Sequence, residues 1–302
     1  MANSVQRAID SVPEFRQRYE KFFKQLHIEQ YSPKSIRGYS HHLALLCLYY
    51  QKIPDYLSED EVRDYFSHIL SGRPAISMSF FLHTVHSLRC YFRILHLACP
   101  KFSLPRLRRL KKLPTVLSHE EVRRLLRSCN DLRTKSLLSL IYSAGLRIGE
   151  ACKLELCDLD GDRMMIHIRH GKGGKDRYVP LARNMIPLLR LYYREYKPVR
   201  YLFNGNLSGS LMPSPDFYRQ FKLVARLAGI YKHVAPHTLR HSYATHLLEM
   251  GADILQVKEL LGHASLKSTM LYLHVTTINP RALFSPLDRI FPIKEEQDEK
   301  QI

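Results

Sequence analysis

Residues 236–275 read PHTLRHSYATHLLEMGADILQVKELLGHASLKSTMLYLHV, and this stretch decides the architecture. Pro236 suits the first turn of a helix, where its missing N–H would have no partner anyway. Counting on from it, His237 and Arg240 stand at i and i+3 and share one helix face. Ala244 continues that face with a side chain small enough for close approach, and Leu247 and Leu248 supply core contacts. Asp253 with Gln256 is a capping-box pattern, opening a helix whose apolar face is Ile254, Val257, Leu260 and Leu261. Gly262 sits where helices commonly stop, so His263 falls just past a helix end, in a fixed and partly exposed place. Ser265 can cap the next helix, which carries Tyr272 about two turns in.

Upstream, Gly145-Leu146-Arg147-Ile148-Gly149-Glu150 sets an arginine beside glycine-permitted turns, with an acidic residue three positions on. Met164, Ile166 and Ile168 alternate with Met165, His167 and Arg169, the period of a half-buried strand. Gly171, Gly173 and Gly174 make a tight turn, and Arg177-Tyr178-Val179-Pro180 is the returning strand of a β-hairpin. Lys172 and Lys175 lie at its tip, where they can reach a groove. Ser118 with Glu121 is another capping box, starting a helix to about Cys129, and a second helix runs from about Leu132 to Ser143.

The first third reads as a four-helix-like unit with little strand signal. Ser32-Pro33 opens a stretch running to Tyr50, and Ser58 with Glu61 opens another to about Leu70. Ser77 to Leu97 is a third, with Phe80, Phe81, Val85, Leu88, Tyr91, Phe92 and Leu95 at the spacing of a buried face. The segment KFSLPRLRRLKK (101–112) then has six basic residues, Lys101, Arg106, Arg108, Arg109, Lys111 and Lys112, and no acidic one. It reads either as a solvated loop or as a linker lying on phosphates. The expected organisation is a helical domain over 1–104, a basic linker over 105–114, a mixed α/β domain over 115–285 and a tail over 286–302. The fold class is mainly α with a small β-hairpin or sheet (α+β).

Forty-six Lys and Arg against twenty-eight Asp and Glu leave a formal net charge of +18 over 302 residues. A chain this basic commonly binds a polyanion, and nucleic acid favours the linker reading. The apolar run Leu43 to Tyr50 is too short to span a bilayer, and Met1 to Asp10 lacks the apolar core of a signal peptide. A cytoplasmic, nucleoid-associated protein without membrane partners is expected. The six cysteines (Cys47, Cys90, Cys99, Cys129, Cys152, Cys157) form no CxxC pair and read as reduced core residues.

Two metal-like patterns fail. Asp158, Asp160 and Asp162 suggest a calcium loop, but the sixth position is not Gly and the twelfth is Arg169; a surface turn is expected. His237 and His241 are four apart, with His246 nearby, yet no HExxH or cysteine cluster accompanies them. His241 and His246 therefore read as structural, and no metal or cofactor is expected.

In their order and spacing, GLRIGE, HGKGGKDRYVPL and the stretch 236–275 resemble the tyrosine recombinase (phage integrase) family, closest in style to its Xer-type members. The resemblance implies a helical core-binding (SAM-like) domain followed by the family's catalytic domain. It also implies that Arg147, Lys172, His237, Arg240, His263 and Tyr272 are catalytic, with Glu150 helping to hold the site. Its implied partners are a double-stranded DNA recombination site gripped in a C-shaped clamp, and four protomers on two synapsed sites. Lys101, Arg106, Arg108, Arg109, Lys111, Lys112 and Lys175 are the expected DNA contacts. Leu283, Phe284, Leu287, Ile290 and Phe291 fall at helical spacing and would pack on their own domain or dock on a neighbouring protomer.

The implied chemistry is displacement at a DNA phosphodiester. Two arginines suit the added charge on the equatorial oxygens, since each is always charged and can bind phosphate bidentately. His237 and His263 can add donors, Tyr272 would form a 3′-phosphotyrosine, and Lys172 would protonate the leaving 5′ oxygen. His237 is the expected helper in deprotonating Tyr272, a role that residue types alone do not assign. Taken singly, each residue has a plainer reading: Arg147 with Glu150 as a surface pair, Lys172 as a solvated hairpin lysine, Tyr272 as one of 18 tyrosines. Two other classes match part of the pattern. A non-catalytic DNA-binding protein would share the charge and linker, and a type IB topoisomerase would share the chemistry. The complete catalytic set weighs against the first and the Xer-like spacing against the second. Integration of a mobile element and Xer-like resolution both use this reaction, and the atypical tail leans towards the former.

Overall fold

The computed structural model describes residues 2–71, 78–97, 113–169, 176–205 and 209–276. The chain forms two compact units, Met1–Arg109 and Leu110–Ile302. Lys172, Lys175, the basic segment 101–112 with its six cations, Cys99 and the tail lie outside the described residues.

Five helices are described in the first unit: α1 (Ala2–Ser11), α2 (Phe15–Ile28), α3 (Pro33–Tyr50), α4 (Glu59–Ser71) and α5 (Met78–Ile94). The count exceeds the four-helix expectation because α1 and α2 open without a side-chain cap signal; α2 follows Glu14, which has a left-handed backbone. The capped helices start where their caps lie. Ser32 accepts the Ser35 N–H at 3.1 Å ahead of Pro33. Ser58 and Glu61 exchange hydrogen bonds of 2.8 and 3.1 Å ahead of α4. The core is strongly aromatic: Phe22 meets Tyr91 with ring centroids 5.5 Å apart, and Phe66 meets Phe81 at 4.8 Å. Buried polar groups close locally. His42 Nδ1 lies 3.0 Å from Thr84 Oγ1, and Asp55 accepts from Tyr91 at 2.5 Å and pairs with Arg18 at 2.8 Å.

The second unit holds α6 (His119–Arg127), α7 (Leu132–Ala144), α8 (Ile148–Lys153), β1 (Leu159–Asp160), β2 (Met165–Ile168) and β3 (Arg177–Pro180). Then follow α9 (Met185–Tyr196), α10 (Ser214–Leu227), α11 (Pro236–Glu249), α12 (Ile254–Leu261) and α13 (Lys267–Leu273). The architecture is mainly helical with one small sheet, the class read from the sequence. The sheet is antiparallel in the order β1-β2-β3, and β1 is a strand the hairpin reading did not include. Ile166 pairs with Val179 and Ile168 with Arg177. Ile166, Ile168 and Val179 are buried, so the strand period of two carries Arg177 inward with Val179 while Tyr178 points to solvent. Met164 has φ +54 and precedes the strand rather than joining it.

α7 is the central helix of this unit, with Leu137, Leu138, Leu140 and Ile141 fully buried. Each such side chain contributes about 1.5–3 kcal/mol of burial free energy. It packs against α11 and α9 and ends at Gly145, φ +61. A Cβ at Gly145 would overlap the Tyr243 ring, so the turn needs glycine for both its backbone and its space. Asp158 is a correction to the surface-turn reading. It is buried, accepts the Glu155 N–H at 2.8 Å, and pairs with Arg169 Nε at 2.7 Å. Of the described cysteines, Cys157 is exposed, unlike its buried counterparts. Among the described residues, no helix is long and apolar enough to cross a membrane.

Candidate active site

Helix termini deliver the site. The Gly145 turn places Arg147 at the N-cap of α8, where its own N–H donates to Glu150 Oε2 at 2.9 Å and its Nη1 donates to Oε1 at 2.6 Å. Pro236 opens α11, which carries His237, Arg240 and His241. α12 starts at the predicted box, with Asp253 accepting the Leu255 N–H at 2.7 Å, and ends at Gly262, φ +61. His263 follows at once. Ser265 Oγ accepts the Lys267 N–H at 3.3 Å where α13 begins, and Tyr272 projects from that helix.

Glu150 is the hub. Its side chain is only 9 % exposed, which excludes the ordinary surface pair. Besides Arg147 it accepts from Arg177 Nη1 at 3.1 Å and Nη2 at 2.8 Å, and Arg240 Nη1 lies 3.7 Å away. Burial alone would raise its pKa, but hydrogen bonds from Arg177 and Arg147 and the Arg177 charge lower it to about 2. Three guanidinium groups thus surround one carboxylate, an excess of two positive charges (3 − 1).

Arg240 is fully buried. Its Nη1 donates to Gly145 O at 2.7 Å and its Nη2 to Leu261 O at 2.5 Å, so two helix ends hold it in place. Its Nε has no hydrogen-bond partner among the described residues. Arginine has five N–H donors, so three remain for an anion. Burial and the neighbouring Arg147 lower its pKa to about 10, still high enough to keep it charged at neutral pH.

Three imidazoles line the same place. Burial lowers the pKa of His237, with Arg240 and Arg147 adding to the effect. Burial and the same arginines hold His263 at about 4, and its Nδ1 lies 2.9 Å from Thr269 Oγ1. The third is His241. Its Nδ1 lies 3.0 Å from the Tyr272 hydroxyl, and burial, His237 and Arg240 hold it at about 4. Tyr272 is 2 % exposed, and burial raises its pKa against the opposing pull of Arg240 and Arg147. His263 stacks near-parallel to the Tyr272 ring at 6.2 Å, and His237 meets His241 edge-on at 4.5 Å.

The structure therefore gathers Arg147, Glu150, His237, Arg240, His263 and Tyr272. Two members escaped the sequence reading. Arg177 also donates from Nε to Leu260 O at 2.8 Å, tying the hairpin to the end of α12. Its signal was an arginine on the apolar face of a strand. His241, read as structural, meets the Tyr272 hydroxyl directly, and His237 packs edge-on against His241. Four residues separate the two histidines, so one helix turn was the available signal. A possible ligand set, His119, His246 and Glu249, has its donor atoms within 4.8 Å of one another. However, the two rings stack at 3.8 Å and 16°, so their lone pairs run parallel instead of converging, and His246 Nδ1 already meets the Tyr142 hydroxyl at 2.8 Å.

A model of the phage integrase family matches residues 115–278, and a model of the phage integrase N-terminal SAM-like domain matches residues 19–96. A putative integrase/recombinase of Sinorhizobium fredii is 32% identical over 271 residues, covering 89% of this chain and 88% of that protein. Tyrosine recombinase XerA of Pyrococcus horikoshii is 32% identical over 262 residues, covering 85% and 89%. Among solved structures, XerH site-specific recombinase in a pre-cleavage complex with its difH substrate has a TM-score of 0.66 at 25% identity, covering 85% of this chain and 79% of that one. The matched domain, the relatives along nearly the whole chain and the shared fold lead to one conclusion: the chain belongs to the phage integrase family and is a tyrosine recombinase, an enzyme of site-specific DNA recombination.

Proposed function

We propose that this recombinase cuts and rejoins double-stranded DNA through a 3′-phosphotyrosine bond to Tyr272, with no metal ion or ATP. The observation that carries the reading is the buried excess of guanidinium groups around Glu150, with a tyrosine hydroxyl held beside it. Arg147 and Arg240 bind the non-bridging oxygens of the scissile phosphate, and their charge offsets what develops there in the transition state. His237 and His263 add donors to the same oxygens. Glu150 keeps the arginines in register. Lys172, outside the described residues, protonates the leaving 5′ oxygen. The covalent bond conserves the phosphodiester linkage, so a 5′ hydroxyl from a second site reverses the step.

We assign residues 1–104 as the core-binding domain, 105–114 as the linker, 115–285 as the catalytic domain and 286–302 as a tail. The family matches lie on either side of that linker, which supports the division. Lys101, Arg106, Arg108, Arg109, Lys111, Lys112 and Lys175 contact DNA phosphates, consistent with a net charge of +18. Four protomers act on two synapsed sites in the nucleoid, in mobile-element integration or Xer-like resolution. The test is covalent capture. Wild-type protein, in chelator, is incubated with nicked duplexes bearing a randomised site pool, beside Tyr272→Phe. The expected result is a denaturant-resistant adduct in the wild type alone. Binding without any adduct would leave a DNA-binding protein, and an adduct in Tyr272→Phe would displace the nucleophile.

A further inference from the structure

We propose that His241, one helix turn beyond His237, is the proton acceptor for Tyr272: its Nδ1 takes the hydroxyl proton as the phenol oxygen attacks phosphorus. This rests on the reading of Tyr272 as the nucleophile.

A general base must lie within hydrogen-bond reach of the proton it removes, about 2.6–3.2 Å between heavy atoms. At 3.0 Å, His241 Nδ1 meets that condition. The other imidazoles stand differently. His263 Nδ1 is engaged by Thr269 at 2.9 Å, and its ring lies parallel to the tyrosine ring rather than against its hydroxyl. His237 presses edge-on against His241. An acceptor must also be unprotonated. The groups around His241 are His237 and Arg240 on its own helix and Tyr272 on α13, with His263, Arg147, Glu150 and Arg177 completing the cluster. Burial, His237 and Arg240 keep the ring neutral at physiological pH, and in the tautomer with its hydrogen on Nε2 the Nδ1 atom accepts from the Tyr272 hydroxyl.

Burial, with His237 and Arg240, makes His241 a weak base in the DNA-free protein. A bound phosphodiester changes the balance, because its negative charge opposes that of Arg240 and makes an imidazolium easier to form. Proton removal is thereby tied to the arrival of substrate. The step balances: the O–H bond of Tyr272 breaks and its proton goes to His241 Nδ1. The O–P bond forms, the P–O5′ bond breaks, and the 5′ oxygen takes a separate proton from Lys172. Religation runs the transfers backwards and returns the ring to neutrality.

The test is the single-turnover cleavage rate on a nicked duplex whose site has been captured by the wild type. His241→Gln keeps an acceptor oxygen but cannot take up a proton, and His241→Ala removes both. Each is expected to slow cleavage roughly 10²-fold or more, with DNA affinity retained. Added imidazole should restore part of the His241→Ala rate. The wild-type rate should vary little between pH 6 and 8 (roughly the range in which a buried histidine stays neutral), and the His241→Ala rate should climb with pH as hydroxide takes over. A substrate with sulfur at the bridging 5′ position needs no proton on its leaving group, so it should leave the His241→Gln defect intact. Wild-type cleavage by His241→Gln would overturn the assignment, since positioning would then suffice. Faster cleavage by His241→Ala would also overturn it, as the contact would then be a restraint. No adduct with the wild type would remove the Tyr272 reading itself, and this inference with it.

Discussion

The two units bury polar groups in opposite ways. In the N-terminal unit the contacts close on themselves, His42 on Thr84, and Tyr91 and Arg18 on Asp55. Around Glu150 in the C-terminal unit the charges do not close. Glu150 faces Arg147, Arg177 and Arg240, and a donor on the most deeply buried of them is unmet. A satisfied hydrogen bond adds about 1 kcal/mol to stability. An unbalanced cluster of buried cations lowers stability, and such clusters are characteristic of places where an anion completes the set. The first arrangement maintains a shape, and the second, on the proposed reading, awaits the charge of a phosphate.

The sharpest way to break this contrast is Arg240→Lys. Lysine keeps the positive charge but not the planar fork that spans Gly145 O and Leu261 O and, on the proposed reading, a phosphate oxygen. Single-turnover cleavage should fall about 10²–10³-fold. A lysine enzyme cutting at the wild-type rate would reduce the cluster to a scaffold. Next in size is Glu150→Gln, which leaves three guanidinium groups without their carboxylate. Denaturant unfolding should show a loss of about 3–5 kcal/mol, as when one partner is removed from a buried ion pair. Part of that loss should return when a short duplex is added, because phosphate supplies the missing charge. A cost below about 1 kcal/mol would place Glu150 among ordinary surface pairs.

Acid should separate the units more gently. His241, His263 and His42 are held at about 4 in the folded protein, and His237 is also lowered. Histidine in the unfolded chain titrates near ~6.5, so the unfolded state takes up protons first. Stability is therefore complete above pH ~6.5, declines as pH falls towards 4, and levels off below that for these groups. Glu150 adds a second decline, from its ordinary range near 4.5 down to about 2. Unfolding followed against pH, with and without a duplex, should show DNA flattening the histidine limb of the C-terminal unit and leaving the share of His42 intact. Equal flattening in both units would erase the distinction. The smallest effect belongs to Thr84→Val, which strands His42 Nδ1. It should cost about 1–2 kcal/mol in thermal or denaturant unfolding and leave the cleavage rate unchanged. A cleavage defect in that variant would link the first unit to the chemistry.

What was legible in the sequence was local. Caps, glycine stops and the strand period involve residues within a few positions of each other, so Ser58–Glu61, Ser118–Glu121 and Asp253–Gly262 set helix boundaries almost without error. α9 begins without a side-chain cap bond after Asn184, and the sequence reading passed over it. The strand β1 is two residues long, too short for a period to register. The site divides along the same line. Arg147, Glu150, His237, Arg240, His263 and Tyr272 lie in recognisable motifs. Arg177 joins Glu150 across 27 positions, and His241 joins Tyr272 across 31, distances at which no local rule operates. The burial of Asp158 had the same origin, since its partner Arg169 comes from the neighbouring strand region.

The depth of Tyr272 bears on target choice. If Tyr272 is the nucleophile proposed above, its 2 % exposure beside a fully buried Arg240 means that the packing over the site must part to admit a phosphodiester, with the His241–Tyr272 contact retained. The energy needed for that opening is the same whichever duplex is bound. A random sequence, held by charge alone, spends little time in the opened state. A cognate site supplies more binding energy and crosses the threshold. On that reading, discrimination between sites is exercised in the frequency of opening as well as in affinity, and a genome's excess of weakly bound duplex is left uncut.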